Sequence, residues 1–143
     1  MNVKFFTLLI FVSISSFIFA DEAAIVKTYK GQAHLLREGK EIPIEIGTQI
    51  FEKDTIRTEA HSLVGLIFKD NTRMSIGQKS EFTIEEYEFN LGEKKERFTT
   101  NLSKGSLECV TGLISKVNPE TFKLKTKTAT MGIRGTHFIV ESE

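Results

Sequence analysis

Ser62-Leu-Val-Gly-Leu-Ile-Phe68-Lys-Asp70-Asn71-Thr-Arg-Met74-Ser-Ile76 is the stretch that decides the fold. Ser62, Val64, Leu66 and Phe68 alternate onto one face, and Leu63, Gly65 and Ile67 onto the other. Both faces are apolar, which predicts a central strand buried on two sides. Asp70 and Asn71 both tolerate left-handed backbone angles and so supply a turn. Met74 and Ile76 continue beyond it, and residues 62–76 therefore read as a β-hairpin.

The same logic extends outward. Phe82 and Ile84 begin an alternating strand, but Tyr87, Phe89 and Leu91 take the opposite phase, as a β-bulge between them would require. Residues 91–95 form a polar turn. Phe98 to Leu102 leads back, and Lys104-Gly105 predicts a further turn before Leu107 and Cys109. In Phe122-Lys-Leu-Lys-Thr-Lys-Thr128, Phe122, Leu124 and Thr126 share a face, opposite Lys123, Lys125 and Lys127. A lysine row of this kind reads as a solvated or edge face defended against aggregation, ahead of a functional basic stripe. His137 to Val140 gives the last strand. Helical expectations are short, at Ala23-Ala24 and near Leu113-Ile114. Turn signals recur about every 8–12 residues, the spacing of an all-β sandwich or barrel-like fold. The expected fold is all-β: a single domain of antiparallel strands, sandwich or β-roll-like, with little helix.

At the N-terminus, Lys4 precedes an apolar run from Phe5 to Phe19, which ends at Ala20 before Asp21-Glu22. One cation, a short apolar core and a small residue make the pattern of a secretory signal peptide. A spanning helix needs about 20 apolar residues, more than this interrupted run offers. The expected organisation is thus a signal peptide over 1–20 and a β domain over 21–143, with periplasmic or secreted localisation. Ile18 stands where a small residue is preferred before the cut, which leaves an uncleaved anchor as the alternative. The run lacks cysteine, which excludes a lipoprotein-type attachment. The 143 residues balance 19 basic against 19 acidic side chains. The absence of a basic excess argues against a nucleic-acid partner. Cys109 is the single cysteine, so no internal disulfide can form, and its neighbours Leu107 and Val110 predict a small buried side chain.

Two stretches are more specific than generic strand pattern. The first runs from Gly31-Gln-Ala-His-Leu-Leu-Arg37-Glu-Gly39 through Ile46-Gly47-Thr-Gln-Ile50, Asp54-Thr-Ile56-Arg-Thr58 and the 62–76 hairpin to Ser80-Glu-Phe82-Thr-Ile84. The second runs from Leu107 and ends in Met131-Gly132-Ile-Arg134-Gly135-Thr136-His-Phe138-Ile-Val140. Together they resemble the FecR domain over nearly all of residues 24–140, with the terminal Gly-Ile-Arg-Gly-Thr-x-Phe signature the most specific part. Lys53 and Asn71 stand where the family has glycine. The resemblance implies a periplasmic domain of envelope signalling proteins, in which a spanning helix and a short cytoplasmic segment precede the domain. Only Met1–Lys4 precede the apolar run here, so the expectation is a stand-alone module rather than a complete transducer.

Within the signature, Gly132 and Gly135 bracket Ile133-Arg134 and permit a bulge or tight bend, and Phe138 is expected in the core. Arg134 has two readings. The favoured one is a buried bidentate clamp on a carboxylate, Asp54 or Asp70. The other is an exposed contact, with Thr136, for a partner. Asp54 and Asp70 could equally be turn residues bonding their own backbone. His34, His61 and His137 lack metal-motif spacing, so no metal and no cofactor are expected. Glu85, Glu86 and Glu88 read as a solvated face, and no serine has a nucleophile-elbow context. The expected function is therefore non-catalytic: binding of another envelope or membrane-sensor protein, with strand addition at exposed edges as the means. A small-ligand or cell-wall glycan-binding domain is the alternative, for which only Tyr29 and Tyr87 offer amphipathic rings.

Overall fold

The structure, a computed structural model, describes residues 21–143; the signal-peptide reading lies outside the described residues. Strands β1 (Ala24–Lys30), β2 (Ala33–Arg37), β3 (Lys40–Pro43), β4 (Gln49–Ile50), β5 (Thr55–Thr58), β6 (Leu63–Phe68), β7 (Arg73–Ile76), β8 (Glu81–Asn90) and β9 (Lys95–Val110) come first. A short helix α1 (Leu113–Val117) and a 3₁₀ turn (Pro119–Thr121) then lead to β10 (Phe122–Lys125), β11 (Thr130–Gly132) and β12 (His137–Ser142). The domain is all-β, a single sheet curled on itself, with strand order β3-β2-β5-β8-β9-β7-β6-β1-β4.

The expected hairpin is present. Val64 pairs with Ile76 and Leu66 with Met74, and all four are fully buried. Asn71 closes the turn at φ 66°. The phase change in β8 is a bulge at Glu85, where pairing jumps from Ile84–Thr100 to Glu86–Thr99. A tight β2–β3 hairpin turns through Glu38 and Gly39, both at positive φ, which is the backbone that a two-residue primed turn demands.

Strand β9 is the spine. Its first half lies between β8 and β10, and its second half between β7 and β12. The β9–β10 pair is parallel, an exception to the all-antiparallel expectation. Parallel neighbours need a long crossover, and α1 with the 3₁₀ turn supplies it. Lys104-Gly105 is not a turn: the strand continues through it and changes partners there. Gly105 sits at φ 98°, and a Cβ on it would collide with the Ser80 side chain. Glycine marks a corner between sheet halves, a role that local sequence does not separate from a turn. The Ala23-Ala24 helix is also overturned. Both alanines are buried, and Ala24 pairs with Phe68 on one side and Ile50 on the other, so tertiary packing overrides helix propensity.

The two halves meet over a row of rings. Phe68 of β6 lies 4.7 Å from Phe98 of β9, Phe98 lies 4.5 Å from Phe122 of β10, and Phe122 lies 6.5 Å from Phe138 of β12. Tyr87 of β8 joins them, 4.9 Å from Phe98 and edge-on to it. Edge-to-face contacts of this kind add about 0.5–1.5 kcal/mol beyond their area. Gly105→Ala is expected to destabilise the domain by about 1–3 kcal/mol, through positive φ and the clash with Ser80. Gly132→Ala, with nothing within 4 Å of the added carbon, should leave chemical denaturation almost unchanged.

Candidate functional site

Asp54 and Asp70 are both buried, and each satisfies its carboxylate differently. Asp54 faces Arg37 of β2, whose Nε and Nη2 donate to its two oxygens at 2.9 and 2.7 Å. The Phe51 amide adds a third bond at 2.8 Å, and the guanidinium stacks 4.7 Å from the Phe51 ring. Arg37 has its pKa raised, chiefly by this hydrogen bond. The first glycine departure is tolerated: Lys53 adopts φ 74°, and its ammonium donates to the Glu85 carbonyl at 2.8 Å.

Asp70 has no ion pair among the described residues and relies on neutral donors. Thr72 gives its amide at 3.2 Å and its hydroxyl at 2.7 Å, the Tyr87 hydroxyl donates at 3.2 Å, and the Ile114 amide at 3.1 Å. The same Tyr87 oxygen accepts the Asp70 amide at 3.0 Å, and the Gly112 amide donates to the Thr72 hydroxyl at 3.0 Å. Gly112 has no room for a Cβ against the 70–72 backbone. The Asp70 turn therefore fastens the segment that follows β9. Burial, then the Asp70 charge, raise the Tyr87 pKa, and the same two causes push the buried Cys109 thiol up to about 12.

That fastened segment holds the signature. The Thr111 hydroxyl donates to the Gly135 carbonyl at 2.7 Å, and its amide to the Thr136 carbonyl at 3.0 Å. Ile133 is buried and donates its amide to Phe122 at 3.0 Å. Gly135 takes φ 135°, open to glycine and strained for other residues. Phe138 is half-buried at the end of the ring row. Arg134 and Thr136 are exposed. The favoured reading of Arg134 as an internal clamp is thus corrected: the structure gives Asp54 to Arg37 and Asp70 to uncharged donors. The result is a bend pinned at Ile133 and at the Gly135 and Thr136 carbonyls, with an arginine projecting from it.

Of the signature residues, Asp70, Gly135, Thr136 and Phe138 are gathered around the end of β9, whereas Asp54 stands apart beside Arg37. Sequence reasoning missed Arg37 and Thr111 as anchors. The family-like stretch contains Arg37, but its partner lies seventeen positions on. Among the described residues no three metal-binding side chains converge. Lys125 pairs with Glu85 at 2.8 Å, which places the lysine row at a mixed-charge face. An open cleft of about 420 Å³ is lined by Tyr29, His34, Glu41 and Pro43.

These features define a class: a curled all-β module that presents an anchored, solvent-facing bend next to an edge strand. Residues 54–143 match the family described as "FecR protein", and the chain belongs to that family. FecR domains are envelope-associated signalling modules. A solved structure described as "Cell surface anchoring domain" is similar to 43% of this chain and 82% of its own length, at 24% identity and a TM-score of 0.41. No curated protein matches the chain. No helix among the described residues is long and apolar enough to cross a membrane.

Arg37→Ala strips the buried Asp54 of its counter-charge and is expected to cost about 3–5 kcal/mol. Arg134→Ala should stay within about 0.5 kcal/mol of the parent in the same denaturant titration. Tyr87 has a raised pKa when folded, so its contribution is complete below its unfolded pKa of about 10 and is lost as pH rises past it. Thermal unfolding followed from pH 8 to pH 11 should show a decline in midpoint that is shallower in Tyr87→Phe.

Proposed function

We propose that this chain is an exported, periplasmic FecR module that catalyses nothing and acts by binding another envelope protein in signalling or sensing. The observation that carries the reading is the Arg134–Thr136 bend. Its backbone is held by Thr111 and Ile133, while the arginine head has no internal partner among the described residues. A fixed backbone lowers the ordering cost of binding, and a guanidinium fork suits a carboxylate on a partner surface. The family membership supports the envelope setting.

Export supplies the compartment in this reading, with residues 1–20 removed as a signal peptide. A second reading, a small-ligand or glycan-binding domain, draws on the cleft beside Tyr29. Tyr87 no longer supports it, because its hydroxyl is committed to Asp70.

Crosslinking the protein in its native envelope, followed by affinity recovery, should capture a specific protein. The Arg134→Ala/Thr136→Ala variant should lose that capture with an unchanged unfolding midpoint. Recovery of glycan alone, abolished by Tyr29→Ala, would replace the first reading with the second. Intact-mass measurement of the recovered chain should show cleavage after Ala20.

A further inference from the structure

Among the described residues four strands pair on one side only, and three of them are blunted. Strand β4 has two residues and β11 three, while β3 carries Lys40 and Pro43. Short length, lysine and proline are the usual defences of an edge against pairing with another chain. Strand β12 has none of them. It runs for six residues, His137-Phe-Ile-Val-Glu-Ser142, without lysine or proline, and among the described residues it pairs only with β9. Ile139 on its outer face is 66% exposed.

The phase of this edge is set by one bond. The Thr136 carbonyl accepts the Thr111 amide, so the backbone groups of Thr136 point toward β9. Pairing with β9 continues without a register shift from His137 to Ser142. Backbone groups alternate between the two edges of a strand, so those of Phe138 and Val140 also face β9. Those of His137, Ile139 and Glu141 face outward, without a partner among the described residues.

We infer that β12 pairs with β12 of a second copy of this chain, antiparallel and centred on Ile139. In that register Ile139 faces its own counterpart, His137 faces Glu141, and Phe138 faces Val140. The outward backbone groups of 137, 139 and 141 then meet one another as hydrogen-bonded pairs. An imidazole, already paired with Glu108 of its own chain at 2.8 Å, stands opposite a further carboxylate at each end; the apolar pair at the centre and the absence of opposed like charges favour cross-strand pairing. A shift of one residue in each copy would set Ile139 against Glu141 or, in the other direction, against His137, and the central apolar pair would be lost. The self-complementarity is that of a two-fold interface. A single strand pair is small, which places the dimer in the weak, concentration-dependent class.

Sedimentation velocity on the purified full chain, from micromolar to millimolar concentration, should show a reversible monomer–dimer equilibrium. Ile139→Lys sets two ammonium groups face to face and should shift dissociation at least tenfold, with an unchanged circular dichroism spectrum. Under mild oxidation Ile139→Cys should form a covalent dimer, because hydrogen-bonded partners place their Cα atoms about 5.5 Å apart, within disulfide reach. Glu141→Cys should not, since its counterpart lies four residues away in register. A chain that stays monomeric throughout, a dimer that survives Ile139→Lys, or crosslinking at 141 in preference to 139 would overturn the inference.

Discussion

A carboxylate taken wholly out of water must find donors inside the protein, and Asp70 imposes that demand on three separate parts of the chain. Its own turn contributes Thr72, β8 contributes the Tyr87 hydroxyl, and the segment after β9 contributes the Ile114 amide. Leaving such a group unsatisfied costs far more than a typical hydrogen bond returns. These elements therefore move together or not at all. The ring row runs beside this network, since Tyr87 belongs to both. The polar network fixes geometry, and the rings supply the apolar burial.

The exposed bend inherits its order from that network. Asp70 and Thr72 hold Gly112 and Ile114, the adjoining Thr111 holds Gly135 and Thr136, and Arg134 stands between that anchor and the buried Ile133. Arg134 is thus exposed at the end of this internal fastening, with no side-chain partner among the described residues. Its position in the family signature coincides with this physical description.

Sequence pattern revealed the fold where burial is regular and local. The alternation of Val64, Leu66 and Phe68 with Met74 and Ile76 gave away the hairpin, and the phase slip between Ile84 and Tyr87 gave away the bulge. It failed where one residue type serves two geometries. Gly105 permits a turn or a corner, and only the proximity of Ser80 decides between them. It failed again where partners are remote. Arg37 and Arg134 are equally suited to clamping Asp54, and the β2–β5 pairing, rather than any motif, brings Arg37 to it. Arg134 is exposed while other groups satisfy both carboxylates, an allocation that no linear pattern records.

The central position of β9 has a consequence for the order of assembly. Its inner neighbours, β7 and β8, precede it in the chain, whereas β10 and β12 follow it. A nascent chain emerging from its N-terminus can close the β6–β7 and β8–β9 hairpins early, because these contacts span few residues. The far side of β9, with Leu107 and Cys109, stays open until His137 to Ser142 arrive. Non-local pairings of this sort are slow to form and expose strand edges meanwhile. The final strand thus acts as a seal, and the interval before it closes is when a half-made molecule is most vulnerable to capture by another.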